Sequence, residues 1–320
     1  MRMNRNLFYR LDQLLPRGLA LLPYESGLLF IRLLFKLLFG PGTKVWSRNS
    51  VRARTVVFGI SDLDLTVVAG RDLPRPVFRQ ALAVSKRLVP FLGESHYYAR
   101  GDLALLGARI NAFELRRDPV LAGFANLTRA DDRVERLVFL QRMFFSDART
   151  LAAWPAHRQR KWRHHFAVTG VAVGAGPVST ETVIGALAEL LPSRPGLAAS
   201  LHRWCAEEQS PGFDVYHADL GDAFRILAPH LYLWFRHDRE ARDRRLLAEL
   251  LPEERRLVER QIDWEIWGLY CQRHGLRTSQ VLEHLARLTA VRAALAPGFD
   301  EAREREVLRA LFREPSAVLT

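Results

Sequence analysis

The chain has 320 residues, 48% of them hydrophobic, with 47 Lys and Arg against 35 Asp and Glu and a formal charge of +12. That composition excludes a disordered chain, and the length suffices for two packed units. The basic excess is mostly arginine and suits an anionic ligand such as a nucleotide, a nucleic acid or an anionic membrane surface, although an arginine-rich proteome yields the same excess with no such partner.

In chain order, the opening MRMNRNLFYRLDQLLPRG has neither the apolar run nor the small-residue cleavage site of a secretory signal, so a cytoplasmic location is expected. Residues 5 to 39 read as two helices separated near Pro23 and closed by the GPG at 40 to 42. In SGLLFIRLLFKLLFG, Arg32 and Lys36 interrupt about a dozen apolar residues, short of the ~20 that span a bilayer. The two cations, spaced i and i+4, share one helix face. The expected role of this helix is packing beneath the neighbouring core, with peripheral contact between residues 27–40 and an anionic membrane as the alternative.

Residues 43–118 form the only β-rich region. Its strand-like runs are TKVWS, TVVFGISDLDLTVV and ALLGARINAFELR, with a helical VFRQALAVSKRLVPFLG between the second and third. Beyond Pro119 the apolar spacing becomes helical, in RVERLVFLQRMFFSDARTLAAW, STETVIGALAELL, DAFRILAPHLYLWFRHDREARDRRLLAELL and SQVLEHLARLTAVRAAL. The expectation is therefore an α+β protein: an N-terminal helical segment (1–42), a small α/β core (43–118) and a large all-helical domain (119–320). Cys205 and Cys271 lie far apart within helical patterns, which argues for buried reduced thiols and against a disulfide framework or a structural zinc.

Residues 59 to 68, GISDLDLTVV, place two aspartates one residue apart in an apolar run. In a strand, Asp62 and Asp64 point to one side and Leu63, Leu65 and Val67 to the other. Like charges held together raise one pKa unless a cation is shared, and magnesium is held by such carboxylates together with substrate phosphates. A solvated polar strand face is the competing explanation.

Read with its upstream flank, WSRNSVRARTVVFGISDLDLTVV resembles the signature of the DNA polymerase β-like nucleotidyltransferase superfamily, in which a Gly-Ser pair precedes a D-x-D strand by about a dozen residues. Asn49-Ser50 stands in the Gly-Ser place and Ser61-Asp62-Leu63-Asp64 supplies the rest. The resemblance covers about residues 43–118. It implies Asp62 and Asp64 as ligands of two magnesium ions, Asn49, Ser50 and Ser61 with Arg48 and Arg52 around the triphosphate of a nucleoside triphosphate, ATP first among them, and a third carboxylate on a later strand. Glu114, in INAFELRR, is the candidate for that metal ligand and general base, with Asp102 and Asp118 as rivals. Asparagine is the best non-glycine residue for positive φ but brings a side chain to the phosphate side.

The resulting reading is a magnesium-dependent nucleotidyltransferase that passes a nucleoside monophosphate to an acceptor hydroxyl of a small molecule, a protein or an RNA and releases pyrophosphate. A catalytically degenerate nucleotide-sensing or partner-binding protein on the same fold is the alternative, and a basic nucleic-acid-binding protein the third. For the last, HRQRKWRHHF at 157 to 166 offers cations and a stacking ring, or equally a helix with one buried Trp. The charge alternation of HDREARDRRLLAELLPEERRLVERQIDWEIWGLY reads as an exposed ion-paired face, with Trp264 and Trp267 in the core. No P-loop, HExxH or GxSxG pattern occurs.

Overall fold

The computed structural model describes residues 5–52, 54, 56–59, 61–71, 75–109, 119–124, 133–144, 156–190, 198–199, 201–202, 239–274, 276, 278–296 and 298–312. They form an α+β protein, mostly helical, with one three-stranded sheet among the described residues. The chain divides into two compact units, one of Met1–Ala104, Tyr270–Thr278 and Arg309–Thr320, the other of Leu105–Leu269 and Ser279–Leu308.

The first unit begins with helices α1 (Arg5–Leu14) and α2 (Arg17–Phe39). The break between them falls at Pro16, not Pro23. Proline disfavours helical geometry in the residue before it and is suited to a helix start. Pro16 takes the extended values φ −55° and ψ 136° just ahead of α2. Pro23 lies inside α2, where burial of Ala20, Leu21, Tyr24 and Leu28 offsets the one helical hydrogen bond it forgoes. Because Pro23 does not end the helix, α2 runs to 23 residues and is long and apolar enough to span a membrane by length and composition. Its inner face is instead part of a core.

That core lies against strands β1 (Lys44–Ser47), β2 (Leu63–Ala69) and β3 (Leu92–Ala99), in the order β1-β2-β3. β1 runs antiparallel to β2, and β2 parallel to β3 across helix α4 (Arg75–Leu88). Val45, Leu63, Leu65, Val67, Ala69, Leu92 and Tyr97 face the same apolar cluster as Leu21, Tyr24, Leu28, Ile31, Phe35 and Phe39 of α2 and Phe78 of α4. Phe39, Phe78 and Tyr97 close it with ring centroids 4.7 to 5.9 Å apart.

Two sequence expectations change here. Residues 56–59 and 61–62 precede β2 instead of extending it. The third strand is 92–99, whereas Leu103–Arg109, the start of the run expected to be a strand, is helix α5. Leu103 and Leu106 are buried at helical spacing. In LGESHYYA polar and aromatic residues occupy both faces, so the apolar alternation that marks a strand is missing.

In the second unit, helices Arg133–Met143, Ala156–Thr169, Thr180–Leu190, Arg239–Glu249 and Thr278–Leu295 occupy stretches where helical spacing was expected; residues 222–238 lie outside the described residues. Trp264 and Trp267 are buried with ring centroids 5.3 Å apart. The helix Pro252–Gln272 departs from the expected exposed ion-paired face, since Gln261, Asp263 and Glu265 are buried beside them. Arg292 pairs with both Asp263 and Glu304, Arg260 lies 3.4 Å from Asp263, and Gln261 Nε2 donates to Glu265 Oε1 at 3.1 Å. The alternating charges pair inward, which lets a charged helix be buried.

Candidate functional site

The reverse face of the sheet is polar. Arg48 follows β1 directly and its N–H donates to Asp64 O at 2.8 Å, so the antiparallel ladder runs one residue past the strand. This sets Arg48 opposite Asp64. On the other side of β2, Leu63 pairs with Leu92 but Leu65 with Ser95, so Gly93 and Glu94 together face Asp64. This bulge turns Glu94 and His96 to the side of Asp64.

Asp64 is held from both flanks. Asn49 Nδ2 donates to Asp64 Oδ2 at 2.8 Å, and the Glu94 N–H donates to Oδ1 at 3.0 Å. Asp62, one residue ahead of β2, is exposed. Both aspartates lean over Gly93: a methyl group there would lie 2.5 Å from Asp64 Oδ1 and 2.7 Å from Asp62 Cβ. Only glycine leaves room for the two acids to sit together at this point of β3.

Asn49 has φ 49°, the left-handed conformation that glycine adopts most easily, and opens the short helix α3 (Asn49–Arg52). Ser50 is half-buried on it, its hydroxyl with no hydrogen bond among the described residues, and Arg52 is exposed. Ser61 is partly committed elsewhere, because its hydroxyl accepts from the Val57 N–H at 2.9 Å. The loop before the aspartates is tied down by the N-terminal helices. Asp12 accepts from the Phe58 N–H at 2.8 Å, Arg17 donates to Val56 O at 3.1 Å and the Tyr24 hydroxyl donates to Ser61 O at 2.9 Å.

Arg48 is buried, and its guanidinium is directed at Glu94, Nη2 to Oε2, at 2.7 Å. His96 Nε2 lies 3.0 Å from the same oxygen. Burial alone would raise the Glu94 pKa, but His96 and Arg48 outweigh it and hold the carboxyl at about 2. The other oxygen, Oε1, is buried with no hydrogen-bond partner among the described residues.

Residues from far downstream finish this face. The Tyr270 hydroxyl donates to Asp102 Oδ2 at 2.7 Å and accepts from the Ala99 N–H at 3.1 Å, and Arg273 donates to Tyr97 O at 3.0 Å. Asp102, the rival to Glu114, is therefore buried under Tyr270 on a 3-10 turn. The Cys271 thiol is buried against the Tyr98 hydroxyl at 3.5 Å, and burial pushes its pKa up to about 12. Cys205, Glu114 and Asp118 lie outside the described residues.

The residues the sequence reading missed are Gly93 and Glu94. A glycine followed by an acid within PFLGESHYY is the available signal, since glycine inside a strand marks a bulge or a close approach. Among the described residues no group of three or more His, Cys, Asp or Glu side chains is placed to hold a metal ion. No family model, curated protein or solved structure matches this chain.

Proposed function

We propose that the chain is a magnesium-dependent nucleotidyltransferase of polymerase β-like fold, transferring a nucleoside monophosphate from a nucleoside triphosphate, ATP first among them, to an acceptor hydroxyl. The observation that carries the reading is the convergence of Asp62 and Asp64 over Gly93, beside a left-handed residue at the head of the Asn49–Arg52 turn. Carboxylate oxygens suit magnesium, Asp62 is open to solvent, and phosphate oxygens would complete a coordination sphere that two carboxylates begin. Magnesium held there would supply positive charge to the triphosphate.

The chain's own part is positional. Asp62 and Asp64 would hold the ion, and Ser50 would offer its hydroxyl and N–H to the phosphates with Arg52 at the surface beside it. Arg48 is turned toward Glu94, so it acts by orienting that carboxylate. The acceptor oxygen bonds to the α-phosphorus, the bond from that phosphorus to the bridging oxygen breaks, and pyrophosphate departs with the electron pair. The acceptor proton goes to a base. Glu94, held at about 2, is too weak a base for that task. Glu114 retains the role that the resemblance implies for it.

One observation favours the second reading, a nucleotide-sensing protein without turnover. The side chain that replaces glycine donates directly to Asp64 Oδ2, so an ion must share or displace Asn49. The nucleic-acid reading loses its stacking ring, because Trp162 is fully buried among His165 and Phe166.

The test is to incubate the protein with each labelled nucleoside triphosphate and magnesium beside an Asp62→Asn/Asp64→Asn variant. Pyrophosphate release and label transfer lost in the variant support transfer. Magnesium-dependent binding without turnover over a broad acceptor panel supports the sensing protein. Absence of any nucleotide or metal binding overturns both.

A further inference from the structure

Helix α2 has two apolar faces, and only one of them belongs to the core. On the outer face Leu22, Leu29, Leu33 and Leu37 run in line at helical spacing with Leu19 and Phe30 beside them, and all six are exposed, Leu37 by 80%. From Leu19 to Leu37 the strip is about 27 Å long at ~1.5 Å per residue. Ser26 interrupts the line between Leu22 and Leu29; scattered exposed leucines need no explanation, but six large apolar side chains on one face of a helix mark an interaction surface.

The border of the strip is positive. Arg32 and Lys36 lie one turn apart along one edge, both exposed. Arg32 is fixed there by donation from Nε to Val45 O at 2.8 Å, and Lys36 makes no ion pair among the described residues. The one acid in α2, Glu25, lies 3.5 Å from Arg54. Asp12, in the preceding helix, is buried and lies 3.5 Å from Arg17.

We infer that the outer face of α2 docks on an anionic lipid bilayer, with the leucine strip at the acyl boundary and Arg32 and Lys36 at the headgroup phosphates. The helix lies along the surface and does not cross it, because its inner face is committed to the sheet. A protein partner or a second copy of the chain would match the leucines equally well. The cationic edge, on a chain of charge +12, is what selects lipid phosphate.

The test uses the full chain in cosedimentation with vesicles of phosphatidylcholine alone and of phosphatidylcholine mixed with phosphatidylserine. Wild type is expected to sediment with the mixed vesicles and far less with the neutral ones. Leu29→Ser/Leu33→Ser should lower the partition coefficient about tenfold, and Lys36→Glu about fivefold on anionic vesicles only. Both variants should keep the wild-type thermal midpoint, since the altered side chains are exposed. Wild type left in the supernatant with both vesicle types overturns the inference, as does a strip variant that binds like wild type. Sedimentation velocity tests the remaining occupant: a dimer that the leucine variant splits, with no vesicle binding, assigns the strip to a second copy.

Discussion

The two faces of the three-stranded sheet are made by the same strands and differ in almost every respect. One carries Val45, Leu63, Leu65, Val67 and Leu92 into a closed apolar cluster. The other carries Arg48, Asp64, Glu94 and His96, linked by hydrogen bonds and ion pairs around an exposed Asp62. Alternation along a strand makes this division possible, since each residue passed to one face is lost to the other. Stability is thereby concentrated on one side, leaving the other free to hold charges that a core would reject.

The sharpest way to break this division is to alter one face and look for effects on the other. Under the proposed function, Asp62→Asn should reduce magnesium-dependent pyrophosphate release on the order of a thousandfold. Denaturant midpoints should not move, because Asp62 is exposed; a parallel loss of stability would mean that Asp62 itself is structural. The mirror experiment is Leu65→Ala, expected to cost about 2–5 kcal/mol in chemical denaturation. Magnesium-dependent nucleotide binding by the fraction still folded should stay at the wild-type level.

The polar face makes its own contribution to stability through Glu94, and acid titration isolates it. With its folded-state pKa lowered from 4.5 to about 2, the ionised carboxylate stabilises the fold above its unfolded pKa. That contribution is lost as pH falls through the interval between those values. Glu94→Gln should therefore flatten the acid limb of the stability profile there, measured by circular dichroism. An unchanged slope would assign acid sensitivity to other carboxylates.

Asn49 tests the same face more finely. Glycine accepts φ 49° without strain and frees Asp64 Oδ2, so Asn49→Gly should change stability by less than about 1 kcal/mol. It should also tighten magnesium binding in calorimetry. Asn49→Ala keeps a Cβ in that conformation and loses the hydrogen bond, and should cost about 1–2 kcal/mol. The smallest effect expected is at Cys271. In a Cys205→Ser background its buried thiol, with a pKa of about 12, should stay unreactive toward a thiol reagent near neutral pH and react only on unfolding.

Several features were legible from pattern alone. The D-x-D spacing predicted two acids on one side, and Asp62 and Asp64 do lie together over Gly93. Asparagine is the non-glycine residue best suited to a left-handed backbone, and Asn49 has one. Trp264 and Trp267 read as core residues and are buried. Other features were illegible for identifiable reasons. Strand β3 carries Glu94 and His96 on the polar face and Ser95 and Tyr97 on the other, so no apolar alternation announces it. The charges of the helix Pro252–Gln272 suggested exposure because sequence shows the signs of charges but not their partners; Arg292 and Glu304, which pair around Asp263, come from other helices. That Arg48 would stand against a carboxylate was likewise unreadable, because the bulge at Gly93 and Glu94 sets that contact.

What the sequence determined by itself was local: which residues alternate, where a helix can start, and which residue tolerates a left-handed turn, because each depends on covalent geometry within a few residues. Only the tertiary structure decided which carboxylate stands beside Asp64, that Tyr270 and Arg273 close the far end of the sheet, and that half of an apolar helix stays uncovered. Those outcomes depend on strand register and on contacts between residues more than a hundred positions apart, and no local pattern encodes either.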